Sequence, residues 1–298
     1  MSMLNVTRLR VLRELHLRGT LAAVADAMSY TPSAVSQQLS QLEREAGVPL
    51  LEKVGRGVRL TPRAITLVDH TEAILARLEL AESELAAAQP DVQGTLRVAS
   101  FQSVVLELAP AALTLLAERH PRLQVEITQR DETLGSRGLL AHEFDVVLGE
   151  EFPGRPHEIR AGVDRENLLR DPLLLAMPSH GPLAELPADV ARLADAPWAL
   201  DPAGLAMGAW SRDVCRAAGF EPDVRFDTPD PLLQAHLVRS GHAVAMLPSL
   251  IADAHLHGTR LSRLPGDPHR HLYTVARAGR SGHPAIRAFR SALAHVAR

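Results

Sequence analysis

Hydroxyl and amide side chains cluster between residues 31 and 41, where their types and spacing suit hydrogen bonding to a nucleic acid. The apolar residues Val35, Leu39 and Leu42 recur at helical spacing and must face inward. The almost uncharged outer face is then formed by Ser33, Ser36, Gln37, Gln38, Ser40 and Gln41. Ser and Gln hydrogen-bond to phosphate oxygens and base edges, and Gln can make a bidentate contact with adenine. The pattern favours DNA recognition; the alternative is a solvated helix in a three-helix bundle.

Local signals place this polar face on the third helix of a helix-turn-helix. A first amphipathic helix ends at Arg18-Gly19, and a second, short helix follows the N-cap residue Thr20. The third helix begins at Thr31-Pro32 and ends at Gly47. A short helix, a tight turn and a longer helix are typical of this DNA-binding motif.

A hairpin follows the third helix. Residues 52–54 and 58–60 are short strand-like runs, bridged by Gly55-Arg56-Gly57. The hairpin would present Arg56 at its tip with Arg59 beside it. Such a wing suits contact with the DNA backbone or the minor groove.

Charge is distributed unevenly along the chain. The 298 residues carry a net charge of −3, but residues 1–63 hold nine Lys or Arg against five Asp or Glu, or +4, which leaves −7 for the remaining 235 residues. A modestly basic head on an acidic body indicates a DNA-binding domain joined to a different module. The length predicts two or three domains, and the 46% hydrophobic and 22% charged content excludes a disordered or collagen-like chain.

These residues resemble the winged helix-turn-helix of LysR-type transcriptional regulators. The resembling runs are Leu21–Met28, Thr31–Leu39, Leu42-Glu43, Gly47–Lys53 and Gly55–Pro62. The resemblance implies that the DNA-facing end of the recognition helix carries Thr31, Ser33, Ser36 and Gln37, with Pro32 and Gln38 beside them. It also implies that the wing carries Arg56 and Arg59. Two positions depart from the family pattern. Pro32 stands where many members have Gln, and Leu51 replaces a commonly aromatic core residue.

A long helix follows the wing. It starts at Thr61-Pro62, and no Gly or Pro interrupts it before Pro90. Its heptad pattern predicts a coiled-coil seam of Ala64, Thr71, Leu78 and Leu85 with Val68, Leu75 and Glu82, flanked by Ile65 and Ile74. The helix would pair with a second subunit, as in the resembling family; the alternative is packing on its own domain. Residues 89–94 are predicted to form a hinge.

From Thr95 onward, strands alternate with helices in two β-α sets, which predicts parallel sheets in two lobes. Strands are expected at 96–99, 125–128, 145–149, 173–177, 198–200, 224–226, 243–247 and 272–276, and helices at 104–119, 134–142, 210–218, 231–240 and 284–296. The fold class is therefore α/β with an N-terminal all-α winged helix-turn-helix, a long linker helix and a two-lobed, periplasmic-binding-protein-like effector domain. The predicted domains are 1–61, 62–89 and 90–298, with lobe I at about 95–165 and 266–298 and lobe II at about 166–265.

Ligands in open α/β folds bind at the carboxyl ends of strands. This rule selects as candidate effector contacts Ser100, Phe101, Gln102, Ser103, Thr128, Gln129, Asp201, Gly204, Leu205 and Thr228. Polar groups at a helix N-terminus favour an anionic ligand group such as a carboxylate. The alternative is that these residues only cap the helices that follow them.

The sequence gives no support to catalysis or to a cofactor. It has no Gly-x-Ser-x-Gly elbow, phosphate-binding glycine loop or His-Glu-x-x-His motif. Glu150-Glu151 is interpreted as a solvated loop. The pairs His255/His257 and His269/His271 are interpreted as exposed loop histidines rather than metal ligands. Cys215 is interpreted as a small buried side chain. No signal peptide or stretch of 18 apolar residues is present, which favours the cytoplasm.

We therefore expect a cytoplasmic homodimer or homotetramer that binds double-stranded DNA and a small-molecule effector, with ligand closure of the lobes altering DNA bending. A solute-binding or enzymatic α/β protein with an accessory helical head is the alternative. An adaptor that uses its head only for dimerisation is a third class.

Overall fold

The computed structural model describes residues 3–55, 57–156 and 162–297. The chain divides into two compact units. One comprises Met1–Gln89 and Arg277–His283, and the other comprises Pro90–Ala276 and Pro284–Arg298.

The first unit is a winged helix-turn-helix followed by a long helix. Its elements are α1 (Val6–Arg18), α2 (Leu21–Met28), α3 (Pro32–Ala46), the antiparallel strands β1 (Leu51–Val54) and β2 (Gly57–Leu60), and α4 (Pro62–Ala87). Each helix starts at a side-chain cap, as at Thr31, whose Oγ1 accepts from the Ala34 amide. Gly47 ends α3 in the left-handed conformation that glycine adopts without strain. The predicted motif, wing and long helix are confirmed.

Helix α4 buries the first half of the predicted seam within its own chain. Ala64, Val68, Thr71 and Leu75 are buried, and Ala64 and Val68 belong to the same hydrophobic core as α1, α2 and α3. The heptad interpretation is therefore wrong for Ala64 and Val68, because the core of the head domain covers them. Farther along, Glu79 accepts a hydrogen bond from Arg277 Nε at 2.6 Å, and a side chain at Gly279 would collide with the Ala76 carbonyl.

The exposed side of α4 carries an apolar stripe formed by Ile74, Leu78 and Leu85. Their exposed fractions are 39%, 45% and 72%. The spacing of four and seven residues places them on one helix face. This stripe is left without cover among the described residues of the chain.

The second unit contains two α/β lobes. Lobe I contains β3 (Gln93–Ser100), α5 (Gln102–Glu107), α6 (Ala109–Arg119), β4 (Arg122–Gln129), α7 (Glu132–Leu140) and β5 (Val146–Glu151). The chain crosses to lobe II along β6 (Val163–Pro178), and continues through β7 (Pro197–Leu200), α8 (Ala206–Ala217), β8 (Asp223–Asp227), α9 (Pro231–Arg239), β9 (Ala245–Pro248), α10 (Ala252–His255) and β10 (Thr259–Arg263). It returns to lobe I through β11 (His269–Arg277) and closes with α11 (Pro284–Val296).

Seven strands of the second unit form one mixed sheet in the order β10-β6-β11-β5-β3-β4, with β9 also paired to β6, and β7 and β8 form a separate parallel pair. The mixed sheet corrects the prediction of a parallel sheet in each lobe. In lobe I, β3 lies between parallel β4 and β5, but β11 pairs antiparallel with β5. In lobe II, β7 and β8 are parallel, whereas β9 and β10 flank the end of β6 in antiparallel register. The antiparallel pairs arise where β6 and β11 carry the chain between lobes.

Several predicted bounds differ from the structure. The helix predicted at 104–119 is two helices that meet at Leu108, because Pro110 fits only the first turn of a new helix. Strand β6 begins ten residues before the predicted 173, and β10 was not predicted. The predicted hinge is shorter, since Gln93 and Gly94 already belong to β3.

A buried ionic cluster joins three segments of the second unit. Arg270 in β11 is 4% exposed and contacts Asp171 of β6 through Nε at 2.8 Å and Nη2 at 2.7 Å. Its Nη1 donates to Glu150 at 2.7 Å, and Nη2 also donates to Ser103 at 2.9 Å. Asp171 additionally accepts from Ser249 Oγ and the Leu250 amide, each at 2.9 Å. Every donor nitrogen of the buried guanidinium therefore has an acceptor.

We expect Asp171→Asn to lower the free energy of unfolding by about 3 kcal/mol, because breaking a buried pair leaves charge uncompensated. Urea unfolding of the full chain, followed by the fluorescence of Trp198 and Trp210, measures the change. Asp213→Asn is the matched control, since Asp213 and its partner Arg155 are both more than 40% exposed and should change stability by less than about 1 kcal/mol. Equal effects of the two variants would contradict the structural role of the cluster.

Candidate DNA-binding surface and effector cleft

The N-terminal end of α3 presents a cluster of exposed hydroxyl and amide groups. Thr31 caps the helix, and its Oγ1 lies 2.9 Å from Ser33 Oγ. Ser33, Ser36 and Gln37 are exposed, while Val35 beneath them is fully buried. The core therefore orients α3 so that its uncharged hydrogen-bonding groups face outward.

Two of the candidate DNA contacts differ from the others. Pro32 occupies the first turn of α3, where it starts the helix but offers no hydrogen-bond donor. Gln38 is half-buried, and its Oε1 accepts from Arg8 Nε at 3.1 Å. Arg8 in turn pairs with Glu45. The structure thus places Gln38 in a contact between α1 and α3 rather than with the exposed cluster.

The wing is anchored to the end of α3. Glu43 Oε1 accepts from the backbone amides of Leu50 and Leu51 at 2.8 and 3.0 Å. Arg59 is exposed on β2 and donates to Glu52 at 2.7 Å across the hairpin. Arg56, the other predicted wing contact, lies outside the described residues.

A cavity of about 560 Å³ lies in the second unit, at the carboxyl ends of strands from both lobes. Seven of the ten predicted effector contacts line it: Phe101, Gln102, Ser103, Gln129, Asp201, Gly204 and Leu205. They lie at or just beyond the carboxyl ends of β3, β4 and β7, as the strand-end rule predicts.

The other three predicted contacts do not line this cavity. Ser100 is 2% exposed, and its hydroxyl contacts the Phe101 carbonyl. Thr128 precedes the lining residue Gln129 in β4, and successive side chains of a strand point to opposite faces. Thr228 contributes its carbonyl, which accepts from Gln234, and its hydroxyl accepts from the Asp230 amide.

Sequence patterns did not identify several charged and amide residues of the cavity. Glu150, Asp230, Gln234 and Arg270 all line it. Asp230 caps α9 and accepts from Gln102 Nε2 at 3.1 Å, a hydrogen bond that crosses the cleft. A signal for Asp230 was present, because Asp230-Pro231 repeats the cap-plus-proline start of Thr31-Pro32.

Burial raises the pKa of two carboxyl groups that line the cleft. Loss of solvation raises the pKa of Asp201 to about 6, although Gln234 donates to its carboxylate at 2.7 Å. Desolvation also raises the pKa of Glu150, and Arg270 partly offsets that increase. The negative charge of Glu150 contributes to the raised pKa of Asp201. The cleft thus concentrates acidic groups in a poorly solvated space.

Two interpretations of individual residues are corrected. Glu150 and Glu151 end β5 and are half-buried rather than forming a solvated loop, because the strand extends through them to pair with β11. His269 and His271 lie in β11, and His255 contacts Glu107 at 3.1 Å from the end of α10. Within the described residues, no group of three His, Cys, Asp or Glu side chains is arranged to hold a metal.

The prediction for Cys215 is confirmed. Cys215 is completely buried in α8, and desolvation raises the pKa of its thiol to about 12. Its thiolate, the reactive form, is therefore strongly disfavoured.

Comparison with known proteins identifies both parts of the chain. Residues 6–65 match the family described as bacterial regulatory helix-turn-helix protein, lysR family. Residues 89–298 match the LysR substrate binding domain. No helix among the described residues is long and apolar enough to cross a membrane.

Individual relatives agree with these matches. The chain is 28% identical to the RuBisCO operon transcriptional regulator of Allochromatium vinosum, over 96% of this chain and 94% of the relative. It is 28% identical to a probable hydrogen peroxide-inducible genes activator of Mycobacterium avium, over 80% and 76% of the two chains. A solved full-length OxyR variant from Pseudomonas aeruginosa shares the fold, with a TM-score of 0.70, 21% identity and coverage of 98% and 95%.

The confirmed fold, the two family matches and the regulatory relatives exclude the enzymatic alternative. The chain belongs to the LysR family of bacterial transcriptional regulators, which bind DNA through the helix-turn-helix and respond to small molecules through the second domain.

Proposed function

We propose that the N-terminal end of α3 reads operator DNA, and that a small molecule bound in the cleft controls that binding. The observation that carries the DNA half is the exposed, uncharged hydrogen-bonding cluster of Ser33, Ser36 and Gln37 over the buried Val35. Base contacts from Ser36 and Gln37 give sequence preference, and Thr31 and Ser33 position the helix on phosphates. Arg56 and Arg59 contribute backbone or minor-groove contacts from the wing.

The proposed domains are 1–61 for DNA binding, 62–89 for the linker and 90–298 for effector binding. The grouping of Arg277–His283 with the first unit adds a segment of the third domain to the linker helix. Acting on chromosomal DNA places the protein in the cytoplasm.

The exposed stripe of α4 supports assembly into a homodimer or homotetramer. Ile74, Leu78 and Leu85 form a continuous apolar face on a helix of 26 residues. Pairing of two such faces removes this area from water and joins two DNA-binding heads, as a two-fold symmetric operator requires.

We expect Ser36→Ala and Gln37→Ala each to weaken specific operator binding by about 5- to 150-fold, because a lost base contact costs about 1 to 3 kcal/mol. Fluorescence anisotropy on the DNA upstream of the chain's own gene, with a salt titration, measures this loss. Non-specific DNA should be bound as tightly as by the unmodified chain.

Gln124→Ala is the matched control, since Gln124 is exposed on β4 and contacts only Glu126 in its own strand. If Ser36→Ala and Gln37→Ala bind the operator as tightly as this control does, α3 is not the recognition helix.

We expect Leu78→Glu to shift the protein toward lower mass by weakening self-association about 10-fold or more, because a charge cannot be buried in an apolar seam without a partner. Analytical ultracentrifugation measures the shift. Ala73→Glu adds the same charge to an exposed position of α4 outside the stripe and should leave the mass unchanged. Retention of the oligomer by Leu78→Glu would exclude the stripe as its interface.

Peroxide sensing, suggested by the name of the M. avium relative, is disfavoured by the state of Cys215. This is the only cysteine in the sequence, it does not line the cavity, and its thiol is buried with a raised pKa. Control by a bound effector therefore fits this chain better than thiol oxidation.

We expect hydrogen peroxide to change operator affinity by less than about two-fold, because a buried, protonated thiol reacts slowly. Cys215→Ala should respond in the same way as the unmodified chain. A peroxide response that disappears in Cys215→Ala would restore the redox function.

A further inference from the structure

We propose that the effector is a small organic cation, which presents amine or guanidinium N–H groups to acidic side chains of the cleft. This inference rests on the proposed function, because it names the class of ligand that the same cleft binds. It replaces the carboxylate ligand expected from sequence.

The cavity has an excess of acidic side chains. Its charged lining residues are the five carboxylates Asp131, Glu132, Glu150, Asp201 and Asp230 and the two guanidinium groups of Arg130 and Arg270. An anion would be repelled by this lining, whereas a cation would be attracted with little screening in the half-buried space.

The buried arginine of the cavity already uses most of its hydrogen-bonding capacity within the protein. All three nitrogens of Arg270 already donate to protein acceptors on Asp171, Glu150 and Ser103. Arg130 is exposed, and its Nη1 donates to the carbonyl of Gln129. These contacts use four of the five N–H groups of Arg270, so a bidentate carboxylate contact would have to displace one of its protein acceptors.

Gln234 provides a separate indication of the ligand's chemistry. It is 1% exposed and lines the cavity. Its Nε2 donates to Asp201 and to the Thr228 carbonyl, each at 2.7 Å, so both amide hydrogens are used within the protein. Its remaining polar atom, Oε1, accepts no hydrogen bond from the described residues, and it keeps some accessible surface, since it is not among their fully buried unsatisfied atoms. A ligand N–H donor would satisfy this acceptor.

The rest of the cavity suits the aliphatic or planar part of such a ligand. Phe101, Leu205, Met207 and Met246 supply apolar surface, and the face of an aromatic ring also attracts cations. A volume of about 560 Å³ accommodates a small organic molecule. The described residues contain no metal-ligand cluster, which favours an organic cation over a metal ion.

The pH dependence of binding distinguishes the two charge classes. Asp201 is faced by Gln234 of α9, Glu150 of β5, Arg270 of β11 and Arg212 of α8, and its pKa is about 6. Its carboxylate is ionised above pH 6 and protonated below it. Cation affinity should therefore fall about ten-fold from pH 7 to pH 5, whereas anion affinity should rise as pH falls.

The test uses the full-length chain and compares probes of similar length. Putrescine and agmatine are the cations, adipate and glutarate the anions, and butanediol the neutral probe, each at constant ionic strength. Thermal shift identifies binding, and isothermal titration calorimetry at pH 5 and pH 7 gives the dissociation constants. We expect stabilisation by a cation and by neither anion.

Variants then locate the bound cation. Asp201→Asn should weaken cation binding about ten-fold or more and reduce its pH dependence, since it removes the carboxyl group whose pKa is about 6. Glu132→Gln, a second cleft variant, should also weaken binding. Asp213→Asn, on the exposed side of α8, should leave the dissociation constant unchanged.

Each other result has a defined meaning. Anion binding that the cleft variants disrupt would overturn the cation class while leaving the cleft as the effector site. Binding of either charge that no cleft variant affects would overturn the cleft itself and, with it, the proposed function. Absence of stabilisation by both cations would overturn the cation class.

Discussion

The buried guanidinium of Arg270 constrains the whole effector domain. A cation removed from water must be matched by anions and hydrogen-bond acceptors, and the matching groups come from distant parts of the chain. Asp171 supplies one carboxylate from the long crossover strand, and Glu150 supplies the other from the end of a lobe I strand. Ser249 and Leu250 then bind the second oxygen of Asp171. The contacts of Arg270 thus fix where the crossover strands lie beside the cleft. Because Arg270 already pairs with Asp171 and Glu150, the buried guanidinium in the cavity lining has little capacity left to bind a ligand.

Local sequence patterns predicted the elements of the DNA-binding head well, because a cap, a glycine stop and apolar spacing act within a few residues of each other. The cleft was only partly predictable. The strand-end rule found Phe101, Gln102 and Asp201, but Glu150 and Arg270 are 120 positions apart and no local signal links them. The predicted packing of the linker helix was wrong for a different reason. Ala64 and Val68 have the same spacing whether they pack on a partner helix or on the chain's own head, so spacing alone does not identify the surface that covers them.

The division of charge along the chain suits a protein that must touch DNA with only one of its parts. The acidic body, at −7, is repelled by phosphates, whereas the head, at +4, is attracted to them. On α3 itself the exposed groups are uncharged, and the neighbouring Arg8 is paired with Glu45. We therefore infer that phosphate attraction brings the head to DNA, while hydrogen bonds from α3 discriminate between sequences.

The raised pKa of Asp201 links ligand binding in the cleft to the proton on its carboxyl group. Near pH 6 the empty cleft relieves its crowded negative charge by protonating Asp201 about half of the time. A bound cation relieves the same charge without the proton, so binding and proton release are coupled. For a cationic ligand this coupling weakens binding as pH falls, and it requires no movement of the buried Arg270 cluster. The acidic lining therefore favours a positively charged ligand, because the buried cation of the cavity, Arg270, already pairs with Asp171 and Glu150.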